Sequence, residues 1–478
     1  MERQERYSEN SGSGFTRTAG EQPPHVLFLM SDEHRADVAG FAGNPIVRTP
    51  FLDWLASTGV VFDNAYTPSP ICVPARQAMA AGQYCHTCDC RRYGEDLPPS
   101  STTFARQFSR YGYQTTACGK LHHMGADQMQ GWMRRVGMDH MLTPDAVDNK
   151  CEEAWSRHAR HQEPDHWNSG GKWSDAKEVR RAGVGRGPHT HAWDEYAEVG
   201  AKAIIDEHFL DPHYDKTSHE RPLFLYLGFN NPHYPYFADE QRFAYYLNRV
   251  QPYLEQTPFD HPWLGRSAFE KGPVTIGPEG RIGERDARRA TAAYYANIEK
   301  IDSQYAAVVD QLRHVGQNLD DWIIVYCSDH GEMLGQHAIW EKQKFFEASV
   351  RVPLIIRWPQ GFAGGRHVRQ NVNLIDLFAT LCELTGIPVP EGRDSRSLAP
   401  LLRGQDEDWE DETLSHFGDD FLMIKRGSLK YQSYGTDLPE VLFDLSTDPG
   451  ETRNLIDSPE YAAEVAGFRR KRDRLGYG

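Results

Sequence analysis

Long apolar runs are missing from this chain. No stretch approaches the roughly 18 consecutive apolar residues of a membrane-spanning helix, so no membrane partner is expected. Cysteine is scarce: eight in 478 residues cannot build the dense disulfide framework of a small secreted domain. Positive charge is in deficit, with 52 Lys and Arg against 68 Asp and Glu and a net charge of −16. That balance argues against nucleic acid as the main partner, while leaving room for a local basic pocket that binds a small anion. Residues 1–22 are polar and lack the apolar core of a signal peptide. They read as a disordered tail, and the expected location is cytoplasmic.

What is present is an alternation of short apolar runs with helical patterns, the signature of an α/β protein with a largely parallel, buried sheet. Four of the runs end in residues that carry chemistry. His25 to Met30 leads into Ser31-Asp32-Glu33-His34. Tyr113 to Cys118 leads into Gly119-Lys120-Leu121-His122-His123. Leu223 to Phe229 leads into Asn230-Asn231-Pro232-His233, and Trp322 to Cys327 into Ser328-Asp329-His330-Gly331-Glu332. The C-terminal edge of such a sheet is where ligands bind.

A fifth stretch faces these ends. Cys72-Val73-Pro74-Ala75-Arg76, followed by an Ala/Met/Gln run and Gly82, reads as a helix start with its stop. A nucleophile at a helix N-terminus with an arginine one turn on suits a tetrahedral oxyanion. Nearby, Cys85, Cys88 and Cys90 flank His86, but no second pair at zinc-site spacing follows, so reduced thiols are expected. Helices are predicted over 49–59, 284–315 and 374–384, and a strand over 353–358.

Two regions interrupt the alternation and read as inserts, about 140–221 and 251–283. The first carries His158, His161, His166, His189 and His191 with Trp155, Trp167, Trp173 and Trp193, which suit either a pocket wall or a solvated loop. A charged linker, 405–412, then leads to short strand-like runs over 421–424, 429–434 and 441–445, and to a helical stretch near 461–475. A small C-terminal subdomain around an antiparallel sheet is expected.

The ordered set of motifs resembles formylglycine-dependent sulfatases, a branch of the alkaline-phosphatase-like superfamily. It comprises Cys72-x-Pro74-x-Arg76, the first strand with Asp32, Gly119-Lys120-x-His122, Pro232-His233-x-Pro235, Asp329-His330-Gly331-Glu332, Trp340-Glu341-Lys342, and Arg351-Val352-Pro353. Further matching segments reach Asp448-Pro449-Gly450-Glu451, so the likeness spans roughly residues 25–456. The Asp329-His330 form is nearest the choline-sulfatase and phosphonate monoester hydrolase branch. The resemblance implies an alkaline-phosphatase-like α/β core over 23–404, with a mostly parallel central sheet flanked by helices, and a C-terminal α+β subdomain over 405–478.

It also implies a chemistry. Cys72 would be converted by a formylglycine-generating enzyme to formylglycine, whose hydrate attacks sulfur and later expels sulfate as the carbonyl re-forms. Asp32, Glu33, Asp329 and His330, with residue 72, would hold one divalent ion, Ca²⁺ first, with Mn²⁺ or Mg²⁺ as alternatives. Arg76 and Lys120 would hold the nucleophile and the anion, His122 would serve as base, and His233 and Lys342 would serve the leaving oxygen. His34, His123 and His337 fit packing or pocket lining equally. The substrate expected is a small sulfate ester, of a sugar or small alcohol, and a homo-oligomer fits inserts of this size. The rival reading is a phosphonate monoester or phosphodiester hydrolase on the same site; a remote one is a non-catalytic binder of sulfated ligands.

Overall fold

The computed structural model describes residues 23–123, 125, 127–137, 176–187, 190–210, 221–253, 259–265 and 282–477. Its centre is an eight-stranded sheet built from β1 (His25–Asp32), β2 (Val60–Phe62), β3 (Gln114–Gly119), β4 (Arg134–Val136), β5 (Leu223–Pro232), β6 (Trp322–Ser328), β7 (Leu354–Arg357) and β8 (Arg366–Val368). The order across the sheet is β8-β2-β7-β6-β1-β5-β3-β4. Only β7 runs against its neighbours, so the sheet is mostly parallel as expected.

Six of the helices frame the sheet and the site at its edge: α1 (Pro50–Thr58), α2 (Cys72–Ala81), α3 (Phe104–Arg110), α4 (His191–Leu210), α5 (Glu284–His314) and α6 (Asp376–Thr385); a further helix, α7 (Ala462–Arg474), lies near the C-terminus. Alternation along β1 divides the core. Val26, Phe28 and Met30 face one side and pack with Met79 of α2, Phe104 and Phe108 of α3 and Phe378 of α6. Leu27 and Leu29 face the other and pack with Leu52 and Leu55 of α1, Ile204 and Ile205 of α4 and Tyr305 and Val308 of α5. A strand covered by helices on both faces must be apolar throughout, which is why these runs do not alternate in polarity. Each such side chain taken from water contributes about 1.5–3 kcal/mol.

Helix starts and stops follow local chemistry. Gly82 takes the left-handed conformation (φ 62°) at the end of α2, and its N–H caps the carbonyls of Ala78 and Met79. Helix α1 lacks a side-chain cap of its own; instead Asp302 of α5 accepts from the N–H groups of Phe51 (3.1 Å) and Leu52 (2.8 Å).

Two expectations need correcting. The stretch 140–221, read as an insert of little apolar periodicity, contains α4, whose buried Ala197, Ala201, Ile204 and Ile205 form a regular stripe against β3 and β5. Charged residues between those positions mask the pattern. Of the residues singled out there, His191 and Trp193 lie on α4, while His158, His161, His166, His189, Trp155, Trp167 and Trp173 fall outside the described residues.

The charged linker also ends one residue early. Four antiparallel strands follow in sequence order: β9 (Glu412–Phe417), β10 (Phe421–Arg426), β11 (Leu429–Tyr434) and β12 (Val441–Asp444). The first of these has no counterpart among the expected strands. It opens on Glu412, which is buried because Arg426 and Lys471 pair with it. Helix α7 lies over this sheet, with Phe468 stacked on Tyr431 at 5.4 Å. The sheet's other side packs Met423, Tyr434, Val441 and Phe443 against Met333, Ile339, Phe345 and Phe346. No helix among the described residues is long and apolar enough to cross a membrane.

Candidate active site

Strand register gathers the site. Ser31 pairs with Ser328, Asp32 with Pro232, and Gly119 with Gly228. The C-terminal ends of β1, β3, β5 and β6 therefore finish level, and Asp32, Lys120, His233 and Asp329-His330 come to one edge. Helix α2 starts against that edge with Cys72 as its first residue, and the preceding Ile71 provides no side-chain cap.

One ligand atom each from Asp32, Cys72, Asp329 and His330 lies within 4.8 Å of the other three. All four residues are buried. His330 Nδ1 lies 3.0 Å from the carbonyl of Gly331, to which it donates, so Nε2 carries the lone pair. Among the described residues that buried Nε2 has no hydrogen-bond partner; it lies 3.8 Å from Asp32 Oδ1, which has none either. Burial lowers His330 to about 3, which keeps the ring neutral and able to ligate. Two orphaned electron-pair donors facing each other in a buried acidic pocket fit a divalent cation.

Two cations brace the acids. Arg76 donates from Nε to Asp329 Oδ2 at 2.7 Å and from Nη1 to the Lys120 carbonyl and the Tyr226 hydroxyl, both at 3.0 Å. Its Nη2 lies 3.6 Å from Asp32 Oδ2, the oxygen that also pairs with the Lys120 ammonium. Burial would raise the Asp329 carboxyl, but Arg76, His330 and Lys120 overcome it and hold it below the usual carboxylate range. The Cys72 thiol is pushed up to about 12 by burial, against the pull of Lys342 and Arg76. An unmodified Cys72 is thus a protonated, weak nucleophile.

Glu33 is buried but outside the four-donor group. It forms a second group of ligand atoms with Asp32 and His233. Its Oε2 lies 2.8 Å from the Lys342 ammonium and 3.3 Å from His233 Nε2. Burial alone would lower Lys342; the Glu33 carboxylate outweighs it and keeps the ammonium charged. His233 Nδ1 donates to the Tyr234 carbonyl at 2.7 Å, so its Nε2 points the opposite way, toward Glu33.

His122 is buried on the turn after β3 with a left-handed backbone (φ 57°). Its carbonyl accepts from Gln77 Nε2 at 2.6 Å, and its ring meets Tyr93 edge-on at 5.9 Å. His34 is a packed core residue, bonded to the Tyr326 hydroxyl (2.5 Å) and the Val38 carbonyl (2.8 Å). His337 stacks on Phe346 at 4.0 Å. His123 Nδ1 lies 3.2 Å from Gln77 Nε2. Cys85, Cys88 and Cys90 are free, buried thiols packed with Val73 and Ala78 of α2, and they belong to no candidate metal group among the described residues.

Sequence reasoning missed Tyr226, Gln77 and Tyr294. Tyr226 lies inside an apolar strand run and reads as core; its hydroxyl instead joins Arg76 to the Lys120 carbonyl. Tyr294 of α5 donates to the Glu33 carbonyl at 2.5 Å and accepts from the Arg35 N–H at 2.8 Å, fixing the turn after Asp32. A tyrosine on a helical stripe gives no sign of that task in sequence.

Comparison with known proteins gives the family. A profile described as Sulfatase matches residues 24–387, and one described as N-sulphoglucosamine sulphohydrolase, C-terminal, matches residues 335–475. A choline-sulfatase from Rhizobium meliloti (strain 1021) is 31% identical over 468 residues, covering 94% of this chain and 86% of the relative. Arylsulfatase K from Homo sapiens is 26% identical, covering 94% and 82% respectively. Among solved structures, the phosphonate monoester hydrolase of Agrobacterium radiobacter superposes with a TM-score of 0.71 at 25% identity, covering 95% of each chain. A profile match across most of the chain and a relative alike almost from end to end leave one conclusion: this chain belongs to the sulfatase family and is a sulfuric ester hydrolase.

Proposed function

We propose that the site cleaves a small sulfate ester, R–O–SO₃⁻, with water to give the alcohol and inorganic sulfate, using residue 72 as formylglycine. The observation that carries this reading is the buried cluster of Asp32, Cys72, Asp329 and His330 at the start of α2. Asp32, Asp329 and His330 would hold a divalent ion, Ca²⁺ first and Mn²⁺ or Mg²⁺ as alternatives. Such an ion, when bound, would withdraw charge from the sulfuryl oxygens and from the nucleophile.

The chain's own side chains supply the rest. Arg76 and Lys120 neutralise the acids and present donors to the nucleophile and the anion. His122 would take the proton whose removal lets sulfate depart. His233 and Lys342, linked through Glu33, would donate to the oxygen of the leaving alcohol. The acidic surplus and the choline-sulfatase relative support a small or cationic alcohol, with a sulfated sugar as the next candidate. Modification of Cys72 requires a formylglycine-generating enzyme. We place catalysis in residues 23–404, with 405–478 as its support, in a cytoplasmic homo-oligomer.

The likeness to a phosphonate monoester hydrolase favours one second reading, hydrolysis of phosphonate monoesters or phosphodiesters. Rates on 4-nitrophenyl sulfate, a phenylphosphonate monoester and a bis-aryl phosphodiester separate them. The sulfate is expected to turn over fastest; equal or greater phosphonate activity overturns the first reading. Peptide mass spectrometry on protein from its native host is expected to find formylglycine at residue 72, and Cys72→Ala is expected to be inactive.

A further inference from the structure

The end of β5 is clamped from outside the site. Asp194, on the first turns of α4, is fully buried, and among the described residues it has no ion-pair partner. Its carboxylate accepts four hydrogen bonds instead. Oδ1 receives the Asn230 backbone N–H (2.6 Å) and side-chain amide (3.1 Å); Oδ2 receives the Asn231 backbone N–H (2.9 Å) and side-chain amide (2.6 Å). All four donors belong to the two residues before Pro232-His233. A buried carboxylate without a cation is costly; burial pushes the Asp194 carboxyl up to about 6, and the four convergent N–H groups offset part of that cost.

The cost has a return in geometry. Beyond Pro232 the chain must leave the sheet and bring His233 back toward the end of β1. The ring is half-buried, and its Nε2 reaches Glu33 Oε2 at 3.3 Å. A helix-borne anchor on both preceding residues leaves this turn little freedom. We propose that Asp194 is the positioning residue for His233: by fixing Asn230 and Asn231 it sets the direction of the proton donor to the leaving oxygen. This rests on the reading of His233 as that donor.

Leaving-group dependence tests it. A donor to the leaving oxygen matters most for poor leaving groups and least for good ones. In Asp194→Asn the isosteric amide sets an NH₂ against the clamp's donors. The expected result is that kcat/KM for an alkyl sulfate falls at least roughly tenfold more than kcat/KM for 4-nitrophenyl sulfate, the direction expected also for His233→Ala. The double variant should show no selectivity beyond that of His233→Ala. Asn231→Ala, which removes one side-chain donor from the opposite side, should give the same pattern more weakly and serves if Asp194→Asn does not fold. Equal losses on both substrates in the Asp194 and Asn231 variants, with selective loss in His233→Ala, would overturn the proposal and leave the role of His233 intact. Absence of selectivity in His233→Ala itself would overturn both, a separate result.

Discussion

Arg76 commits Nε and Nη1 of its guanidinium to hydrogen bonds and, among the described residues, leaves Nη2 without one. It meets Asp329, the Lys120 carbonyl, the Tyr226 hydroxyl and, more distantly, Asp32. A lysine cannot span these partners, because it is a point charge rather than a planar fork. Arg76→Lys is expected to lower kcat/KM by about 10²–10³-fold with the fold retained, since preorganised donors at a developing charge are worth that much. Steady-state kinetics beside circular dichroism checks it. Tyr226→Phe should be far milder. Arg76 and the Lys120 carbonyl still bond each other, so the expected cost is about 1 kcal/mol of stability by denaturant unfolding and less than tenfold in rate. The contrast marks what sequence can disclose. Cys72 and Arg76 sit at fixed spacing on one helix, and Asp32, Lys120, His233 and Asp329 each follow an apolar run, so all are readable. Tyr226 and Asp194 act across elements, through which strand or helix face meets which turn, and a linear pattern carries no trace of that.

At the scale of elements, α1 depends on a residue more than 240 positions away. Asp302 accepts from two of its first N–H groups, and α1 has no cap of its own. Asp302→Ala is expected to destabilise the protein by roughly 1–2 kcal/mol, the cost of a lost helix cap, read as a lower denaturation midpoint at unchanged slope. The turn after β6 is tighter still. A Cβ on Gly331 would lie 2.0 Å from the Ala348 carbonyl oxygen, a contact that backbone must move to relieve. Gly331→Ala should therefore displace His330 and weaken divalent-ion binding at least roughly tenfold by calorimetry, as well as lower stability. The major elements that present the site are legible because they are apolar runs or stripes that give way to polar or turn residues. Helix α4 and strand β9 are not, because buried charges and their partners, such as Glu412 with Arg426, disguise the stripe.

Across the whole molecule, the C-terminal sheet packs directly on the segment that follows Lys342. Gln432 donates to the Phe345 carbonyl at 3.2 Å, three residues beyond Lys342, and buried Lys430 joins Glu347 (2.9 Å) to Glu451 (2.8 Å). This junction titrates. Burial pushes the Glu451 carboxyl up to about 7, helped by Glu347 and opposed by Lys430. Glu347 is itself held near 2, because Lys430, Arg351 and Lys425 outweigh its burial. The folded value of Glu451 lies above its ordinary 4.5, so its contribution is complete below that pH and is lost as pH rises through 7. Glu347 works in the opposite sense, losing its contribution only as pH falls from 4.5 toward 2. Glu451→Gln should thus remove a decline in stability between pH 4.5 and 7, seen by comparing unfolding free energies of the two proteins across that range; an unchanged difference at every pH would refute it.

The burial of α2 has a consequence in time. All ten of its residues are buried, and it is packed between α3 and α6. On the proposed reading a separate enzyme rebuilds the Cys72 side chain, and in the folded protein that side chain is buried away from it. On that reading the modification has to come before α2 is packed. A chain that folded first would then keep its thiol.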